Sequence, residues 1–442
     1  MNIQKQLTYS YIFRFWSPLA FTWFLMALEG PIIAGVIARL DDPKFNLAAY
    51  GIAFAFALIF EAPVIMLMSS SAALVKNLKS FHKVLEFTRY LNLGIFCINC
   101  LVLLPAVFSF LMQFLNLPST VANLVHGSLM ILLPWPVAIG FRRFYQGILI
   151  NHNHTRTVAK GTIFRLLFMV TCSLLGLLYS HYPGAYIGAF ALSAGVISEC
   201  IYIFIKVRPV IKNLEKQTYQ DSEKEISIKQ IAKFYYPLAL TSFISLSVQP
   251  FVTFFVGQCE LPIESLAVLP VINAFIFVFR CLGLSYQEVV IVLIGKNFEG
   301  FYLLKSFTYF LSICSAIILF GVAFTPFSHF WFQEVAGLSP ELSRFAIWPF
   351  RVMSVLPPLT FILSWLRSMS INYQKNILIT YASCIEVFFI MVSLSIFAFS
   401  QQMPGAPAAC LSLCIGRIAS CLYLGLQKRH IYPQETYSYE NI

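Results

Sequence analysis

Apolar residues dominate this chain in runs of about 20 or more, each bounded by charge or by Pro and Gly. The runs fall near 14–38, 47–75, 88–112, 122–148, 158–181 and 184–207, then near 233–257, 266–294, 303–325, 343–369, 376–399 and 404–427. At 1.5 Å per helical residue, each is long enough for a hydrocarbon layer of about 30 Å. The pattern therefore predicts an all-α polytopic membrane protein with twelve transmembrane helices. Between the two sets of six, residues 208–232 (RPVIKNLEKQTYQDSEKEISIKQIA) carry a density of charge found nowhere else in the chain, which reads as a solvated cytoplasmic linker. The organisation expected is a six-helix lobe over 1–207, the linker over 208–232, a second lobe over 233–427 and a tail over 428–442.

The two sets repeat one another. Pro18 opens PLAFT and Pro31 follows thirteen residues later; Pro237 opens PLALT and Pro250 follows at the same spacing. LAAYGIAFAFALIFE (47–61) aligns without a gap to LAVLPVINAFIFVFR (266–280), an offset of 219. Later the offset becomes 221, where Pro136 matches Pro357, Ile150–Asn151 match Ile371–Asn372 and Gly184 matches Gly405. Because six is even, two homologous lobes enter the membrane with the same orientation. Their pseudo-twofold axis is expected along the membrane normal, with a cleft at that axis.

Composition sharpens the class. The 442 residues are 59% hydrophobic and 11% charged, against about 25% charged in soluble domains, which excludes a water-soluble enzyme. Lys5, Lys76, Lys79, Lys83, Arg89, Arg156, Lys160, the linker lysines, Lys296, Lys305, Lys375, Lys428 and Arg429 fall on one side of the predicted spans. Little beyond Arg39, Lys44 and Arg344 falls on the other. The basic side stays cytoplasmic, so both termini are expected there, in a bacterial inner membrane or a plasma membrane. The same asymmetry accounts for the net charge of +11 through anionic lipid, without nucleic acid. The first apolar run reads as a span and not as a cleavable signal peptide. Most cysteines sit in apolar stretches as small helix residues, and the CxxC spacing of Cys97 and Cys100 has neither a second pair nor a nearby His. His152 and His154 read as solvated loop residues, and Trp331, Phe332 and Trp348 as interfacial anchors. No P-loop, HExxH or GxSxG is present. No enzyme, metal or cofactor is expected.

Charges at bilayer depth cost at least about 2.5–3.5 kcal/mol each on insertion scales, so each needs a partner, water or a route to the interface. The candidates are Glu29, Glu61, Arg142, Arg143, Arg165 and Glu199 in the first half and Arg280, Glu288, Arg351, Glu386 and Arg417 in the second. Arg142 and Arg367 lie nearer the cytoplasmic ends and are expected to snorkel. The repeat places Glu61 on the position of Arg280, and Arg165 on that of Glu386, so equivalent positions carry opposite charges. Glu61 and Arg280 are expected to act as a gate across the cleft; permanent pairs, or pairs within each lobe, are the alternative. Glu29, two residues before Pro31, is a candidate proton or cation site, and Glu288 is its second-half counterpart. Guanidinium groups suit carboxylate and phosphate. Arg280, Arg351 and Arg417 are therefore the expected substrate-binding residues, with Glu29, Glu61, Glu288, Glu386 and Arg165 in coupling or gating. The repeat mates of Arg351 and Arg417 are Met130 and Val196, so the architecture does not demand their charge.

PLALTSFISLSVQPFVTFFVGQ (237–258), QEVVIVLIGKN (287–297), PFRVMSVLPPLTF (349–361), GILINHNHT (147–155) and EGPIIAG (29–35) carry a resemblance. With these segments the chain resembles the progressive ankylosis protein family, which belongs with the multidrug and toxin extrusion (MATE) carriers and the lipid II flippases in one superfamily. The resemblance implies alternating access and export of an organic or phosphate-bearing anion, and it matches Arg351 to an arginine of that family's pattern. MATE carriers often place an acid, commonly Asp, in the first helix. Here that helix has Glu29 at a slightly different spacing, while Asp41 and Asp42 lie in the outer loop. The expectation is a monomeric secondary transporter of a small anionic solute, with H+ or Na+ as coupling ion and the lipid bilayer as its other partner. H+- or Na+-coupled efflux of cationic drugs and a lipid-linked substrate flippase stay open as alternatives.

Overall fold

A computed structural model describes residues 7–115, 117–152, 154–179, 181–217, 226–295, 298–373, 375–400 and 403–427. Residues 218–225 of the linker, the tail, Lys5, Lys296, Lys428 and Arg429 lie outside the described residues. The first half contains α1 (Tyr9–Ala27), α2 (Glu29–Ile37), α3 (Pro43–Glu61), α4 (Leu67–Leu74), α5 (Leu78–Leu103), α6 (Pro105–Phe114), α7 (Ser119–Leu132), α8 (Trp135–Asn151), α9 (Thr155–Tyr179) and α10 (Gly184–Gln217). The second contains α11 (Ile228–Leu246), α12 (Val248–Val256), α13 (Pro262–Leu293), α14 (Phe301–Phe324), α15 (Phe327–Phe330), α16 (Pro340–Met353), α17 (Leu356–Asn372), α18 (Asn376–Ser400) and α19 (Gly405–Leu426), with a π-helical turn at Trp331–Val335. Among the described residues eleven helices are long and apolar enough to cross a membrane. The seventh predicted span is occupied by α11 and α12, with a shorter apolar stretch over Ser242–Val256. Helices with large exposed apolar residues, such as Phe388, Ile396 and Phe399 on α18, fit a lipid surrounding rather than water.

The helix breaks repeat at the offsets of the sequence. Pro31 and Pro250 lack the N–H that would bond the carbonyl four residues back, at Ala27 and Leu246, and these are the last residues of α1 and α11. Asp42 and Leu261, 219 apart, both adopt left-handed φ of 49° and 48° immediately before the prolines that start α3 and α13. The fourth span of each half breaks 221 residues apart, between α7 and α8 and between α16 and α17, with Pro136 and Pro357 in the first turn that follows. The N-terminus of each sixth span is held beside the start of the second: Ala185 N–H donates to Asn46 Oδ1 in the first turn of α3 at 2.9 Å, and Gly405 N–H to the Glu260 carbonyl just before α13 at 3.1 Å.

One break is not duplicated. The run 47–75 was expected as a single span, but α3 stops at Glu61, a turn follows over 62–66, and α4 resumes at Leu67, whereas α13 runs unbroken through the equivalent register. Pro63 is the cause: its position 219 residues on is Leu282, which keeps the helical N–H.

The chain packs as two compact units, Met1–Gly35 with Gln258–Ile442, and Val36–Gly257. Each unit thus combines most of one repeat with the first span of the other. In the unit containing α1, Gly30 lies against α13 so closely that a Cβ there would stand 2.9 Å from the Ala274 Cβ. Nearby, Trp16 Nε1 donates to Ser285 Oγ at 2.9 Å, and the indole sits edge-on to Tyr286, Phe307 and Phe361 in an apolar cluster. In the other unit the repeat mate of Trp16 is Tyr235 on α11, whose hydroxyl donates to the Pro63 carbonyl at the α3 break and whose ring meets Phe87 edge-on. Equivalent aromatic donors therefore fasten each first span to a second span.

Tyr235→Phe removes the donor from a buried carbonyl and is expected to destabilise by about 1–3 kcal/mol. Trp16→Phe keeps an aromatic ring there and leaves the Ser285 hydroxyl its bond to the Leu282 carbonyl at 2.8 Å, so its hydrogen-bond share of the loss is about 1 kcal/mol. Unfolding of the purified variants in mixed detergent measures both.

Candidate functional site

In the second half, the fifth and sixth spans cross where α19 offers no side chain. A Cβ on Gly416 would stand 2.6 Å from the Glu386 carbonyl oxygen of α18. This approach brings the next residue, Arg417, onto the Glu386 carboxylate: Nε donates to Oε1 at 2.9 Å and Nη2 lies 2.8 Å from the same oxygen. Arg417 Nη1 also reaches Thr360 Oγ1 on α17 at 3.4 Å. From the same helix, Arg367 Nη2 lies 3.9 Å from Glu386 Oε2 and 3.4 Å from Ser383 Oγ. The Arg367 and Arg417 side chains are 24% and 11% exposed, and that of Glu386 13%. Arg280, on α13, lies within electrostatic reach of Arg417, Glu386 and Arg367. Its Nε is buried without a hydrogen-bond partner, and among the described residues the guanidinium forms neither a hydrogen bond nor an ion pair. Three guanidinium groups against one carboxylate leave this cluster with a net charge of +2.

The first half builds a cluster from the same frame with the polarity inverted. Gly195, the repeat mate of Gly416, lies against Arg165, the mate of Glu386; a Cβ on it would stand 3.3 Å from the Arg165 carbonyl oxygen. Here the fifth span supplies the base and the sixth the acid. Glu199 is fully buried; it pairs with Arg142 of α8, accepts from Gln146 Nε2 at 3.0 Å and Thr162 Oγ1 at 3.4 Å, and lies 3.6 Å from Arg165 Nε. Arg143, beside Arg142, donates to Met68 Sδ at 3.7 Å and feels Glu61 as well as Glu199. Gln146 and Arg367 are repeat mates, and both turn toward the acid of their own half.

The sequence-predicted residues thus divide. Arg165 belongs to the first cluster, with the buried Glu61 at its edge through Arg143; Arg280, Glu386 and Arg417 belong to the second. Arg351 lies elsewhere: its Nε donates to the Ala323 carbonyl at 3.1 Å and its guanidinium covers the Phe324 ring at 5.1 Å, joining α16 to the end of α14. Glu288 is exposed near the end of α13. Glu29 opens α2 at the break in the first span, and Glu61 closes α3 at the break in the second.

Three expectations are corrected. Arg142 does not snorkel; it is 5% exposed and ion-paired, because the α8–α10 packing sets it against Glu199. Phe332 is not an interfacial anchor: it is fully buried, edge-on to Phe350, and Trp331 packs on Phe275 at 4.4 Å, because the π turn folds them inward. Sequence reasoning missed Gln146, Thr162 and Thr360 altogether, since neutral polar residues in an apolar run give no signal of cost. The repeat could have exposed Gln146 as the mate of Arg367.

No family model matches the sequence, and no curated protein matches it. Solved structures share the fold. A multidrug resistance MATE family transporter of the MOP superfamily, in an inward-facing conformation, superposes with a TM-score of 0.71 at 14% identity, over 92% of this chain and 94% of its own. The lipid II flippase MurJ, in an inward closed conformation, gives 0.72 at 16% identity over 93% and 87%. A MOP superfamily transporter from Pyrococcus furiosus, described as having a binding pocket of reverse polarity and a different function, gives 0.57 at 12% identity over 96% of each chain. The chain therefore has the MATE-type polytopic membrane fold of two homologous six-helix halves.

Glu199→Gln leaves Arg142 and Arg165 buried without their carboxylate and is expected to cost about 3–5 kcal/mol. Glu386→Gln, whose partners are more exposed, is expected to cost less. Comparing the two unfolding midpoints in detergent tests the ranking.

Proposed function

We propose that this protein is a secondary transporter that exports a small anionic solute, an organic acid or a phosphate-bearing anion, by alternating access. The observation that carries the reading is Arg280: a cation in the interior of a spanning helix with no hydrogen bond or ion pair among the described residues, in a cluster whose only acid is already held by Arg417 and Arg367. An uncompensated guanidinium at such depth is unfavourable unless a function retains it. An oxyanion supplies what the site lacks, with Arg280 and Arg417 as its donors. The first cluster also carries more arginines than acids, counting Arg142, Arg143 and Arg165 against Glu61 and Glu199.

Export of a cationic drug would instead call for an acid available to the solute. Glu199 and Glu386 are each engaged by two arginines, which speaks against that use. Glu29 and Glu61 sit at helix breaks, where backbone carbonyls are released from helical bonds, and are proposed to couple transport to H+ or Na+. Membership of the progressive ankylosis family fits this chemistry, as does cytoplasmic placement of both termini by the basic loops. Arg351 enters the reading as the fastening of α16 to α14 rather than as a solute ligand. The likeness to MurJ, a lipid II flippase, keeps a lipid-linked anion as a second reading.

The test is flux in proteoliposomes of labelled citrate and pyrophosphate against an organic cation, under imposed pH and sodium gradients. Anion flux is expected, and Arg280→Gln should lower it about tenfold or more, the worth of a charge-assisted hydrogen bond. The same substitution should leave the melting temperature unchanged or raised, because it removes an unpaired charge. Transport of the cation alone overturns the reading, and a marked fall in melting temperature shows Arg280 to be structural.

A further inference from the structure

Helices α14, α17 and α19 frame an open groove of about 280 Å³ in their own unit, whose Cys421 wall lies within electrostatic reach of Arg417, Glu386 and Arg367. Its walls are Leu359, Ile362 and Leu366 of α17, Ile418 and Leu422 of α19, and Trp365 at the base. Lys305, Thr308 and Tyr309 of α14 complete the lining, the Thr308 hydroxyl being turned onto the Leu304 carbonyl, and the lining contains no acidic residue. Gly425 adds no side chain to the lining, and a Cβ there would meet nothing within 4 Å.

The depth of the groove follows from contacts along α14. Phe301, in the first turn, packs on Trp365 at 5.3 Å, and Ser312 Oγ donates to the Pro358 carbonyl at 3.0 Å. Lys305 therefore lies one turn inside the start of the span, where its ammonium stays beside the Phe301 ring at 5.7 Å, while Leu359 lies near the level of Ser312. Leu359 to Leu366 covers about 10 Å of helix, roughly a third of the hydrocarbon thickness. An apolar slot of this length, running inward from a cation near the interface, has the polarity of a phospholipid. In a bilayer no water competes for the apolar part.

We propose that this groove is a binding site for an anionic phospholipid, with one acyl chain between α17 and α19 and the phosphate against Lys305. The chain covers Leu359, Ile362, Ile418 and Leu422, and Lys305 and Tyr309 stand one turn apart on the α14 wall. A single Lys near an anionic surface contributes about 1 kcal/mol, so the site discriminates headgroups about fivefold.

The test is photolabelling of the full-length protein in phosphatidylcholine vesicles doped with a diazirine-acyl phosphatidylglycerol, with labelled residues located by mass spectrometry. Labels are expected to concentrate on 359–366 and 418–425, and to be denser there than on the lipid-exposed face of α18 at Phe388, Ile396 and Phe399. Leu422→Trp fills the slot from a side chain that is 62% exposed, so folding is preserved and the melting temperature verifies it; groove labelling should fall while α18 labelling persists. Lys305→Gln should remove the roughly fivefold excess over a phosphatidylcholine probe. Equal labelling of groove and α18 face, or groove labelling unchanged by Leu422→Trp, overturns the site. Equal labelling by both headgroups in the wild type overturns the phosphate assignment.

Discussion

The absence of water at bilayer depth is the constraint on which this architecture depends. Every backbone carbonyl freed by a proline and every charge carried by a span has to be satisfied by another part of the chain. The close crossing of the fifth and sixth spans is how the charges meet that demand. Gly416 and Gly195 let two helices approach until the backbone of one touches the other, and the ionisable residues beside them come within bonding distance as a consequence. A larger side chain at either position would meet both an apolar neighbour, Ile390 or Met169, and the facing backbone carbonyl, and so would push acid and base apart.

The duplicated frame leaves the sign of the charges open. In the first half the fifth span brings Arg165 and the sixth Glu199; in the second the fifth brings Glu386 and the sixth Arg417. What is common to both is the crossing, together with a polar residue of the fourth span, Gln146 or Arg367, directed at the acid. A pair can exchange its polarity and still be satisfied, because the pairing energy depends on opposition and distance, not on which helix carries the carboxylate. The excess arginine in each half is not accounted for in this way. It is surplus to pairing, and that surplus gives the interior its positive character.

Much of the fold was legible in the sequence because its marks are backbone marks. Pro31 and Pro250 end helices by removing a donor, and Pro43 and Pro262 restart them at the same offset. Pro63 is equally visible, yet the apolar run continues through it, since hydropathy is blind to a turn that stays apolar. The charged positions were legible as a set, but their pairing was not. Within its own unit Glu61 acts on Arg143, and within the other Arg280 stands among Arg417, Glu386 and Arg367, neighbours that the repeat does not name. Equivalence in a repeat describes which frame position a residue holds; the partner is decided by neighbouring helices of the same packed unit. Arg142 was misread for a related reason. Proximity to a span end suggested an outward route, but the packed face of α8 turned the side chain toward Glu199.

Arg351 and Arg280 show how two arginines of equal cost in an apolar run part once packing is known. Arg351 spends its guanidinium on a carbonyl and an aromatic face, both provided by α14, so its charge is useful to the fold and its retention needs no ligand. Arg280 is set among groups that are already committed to one another, and two of them repel it. Arg142, Arg165, Arg367 and Arg417 each have a carboxylate oxygen within ion-pair distance, and the same could be given to one more guanidinium by a Glu in reach, or its charge removed by Gln or Leu. Neither is done at Arg280, which makes this position of α13 a place where pairing within the cluster does not account for the charge.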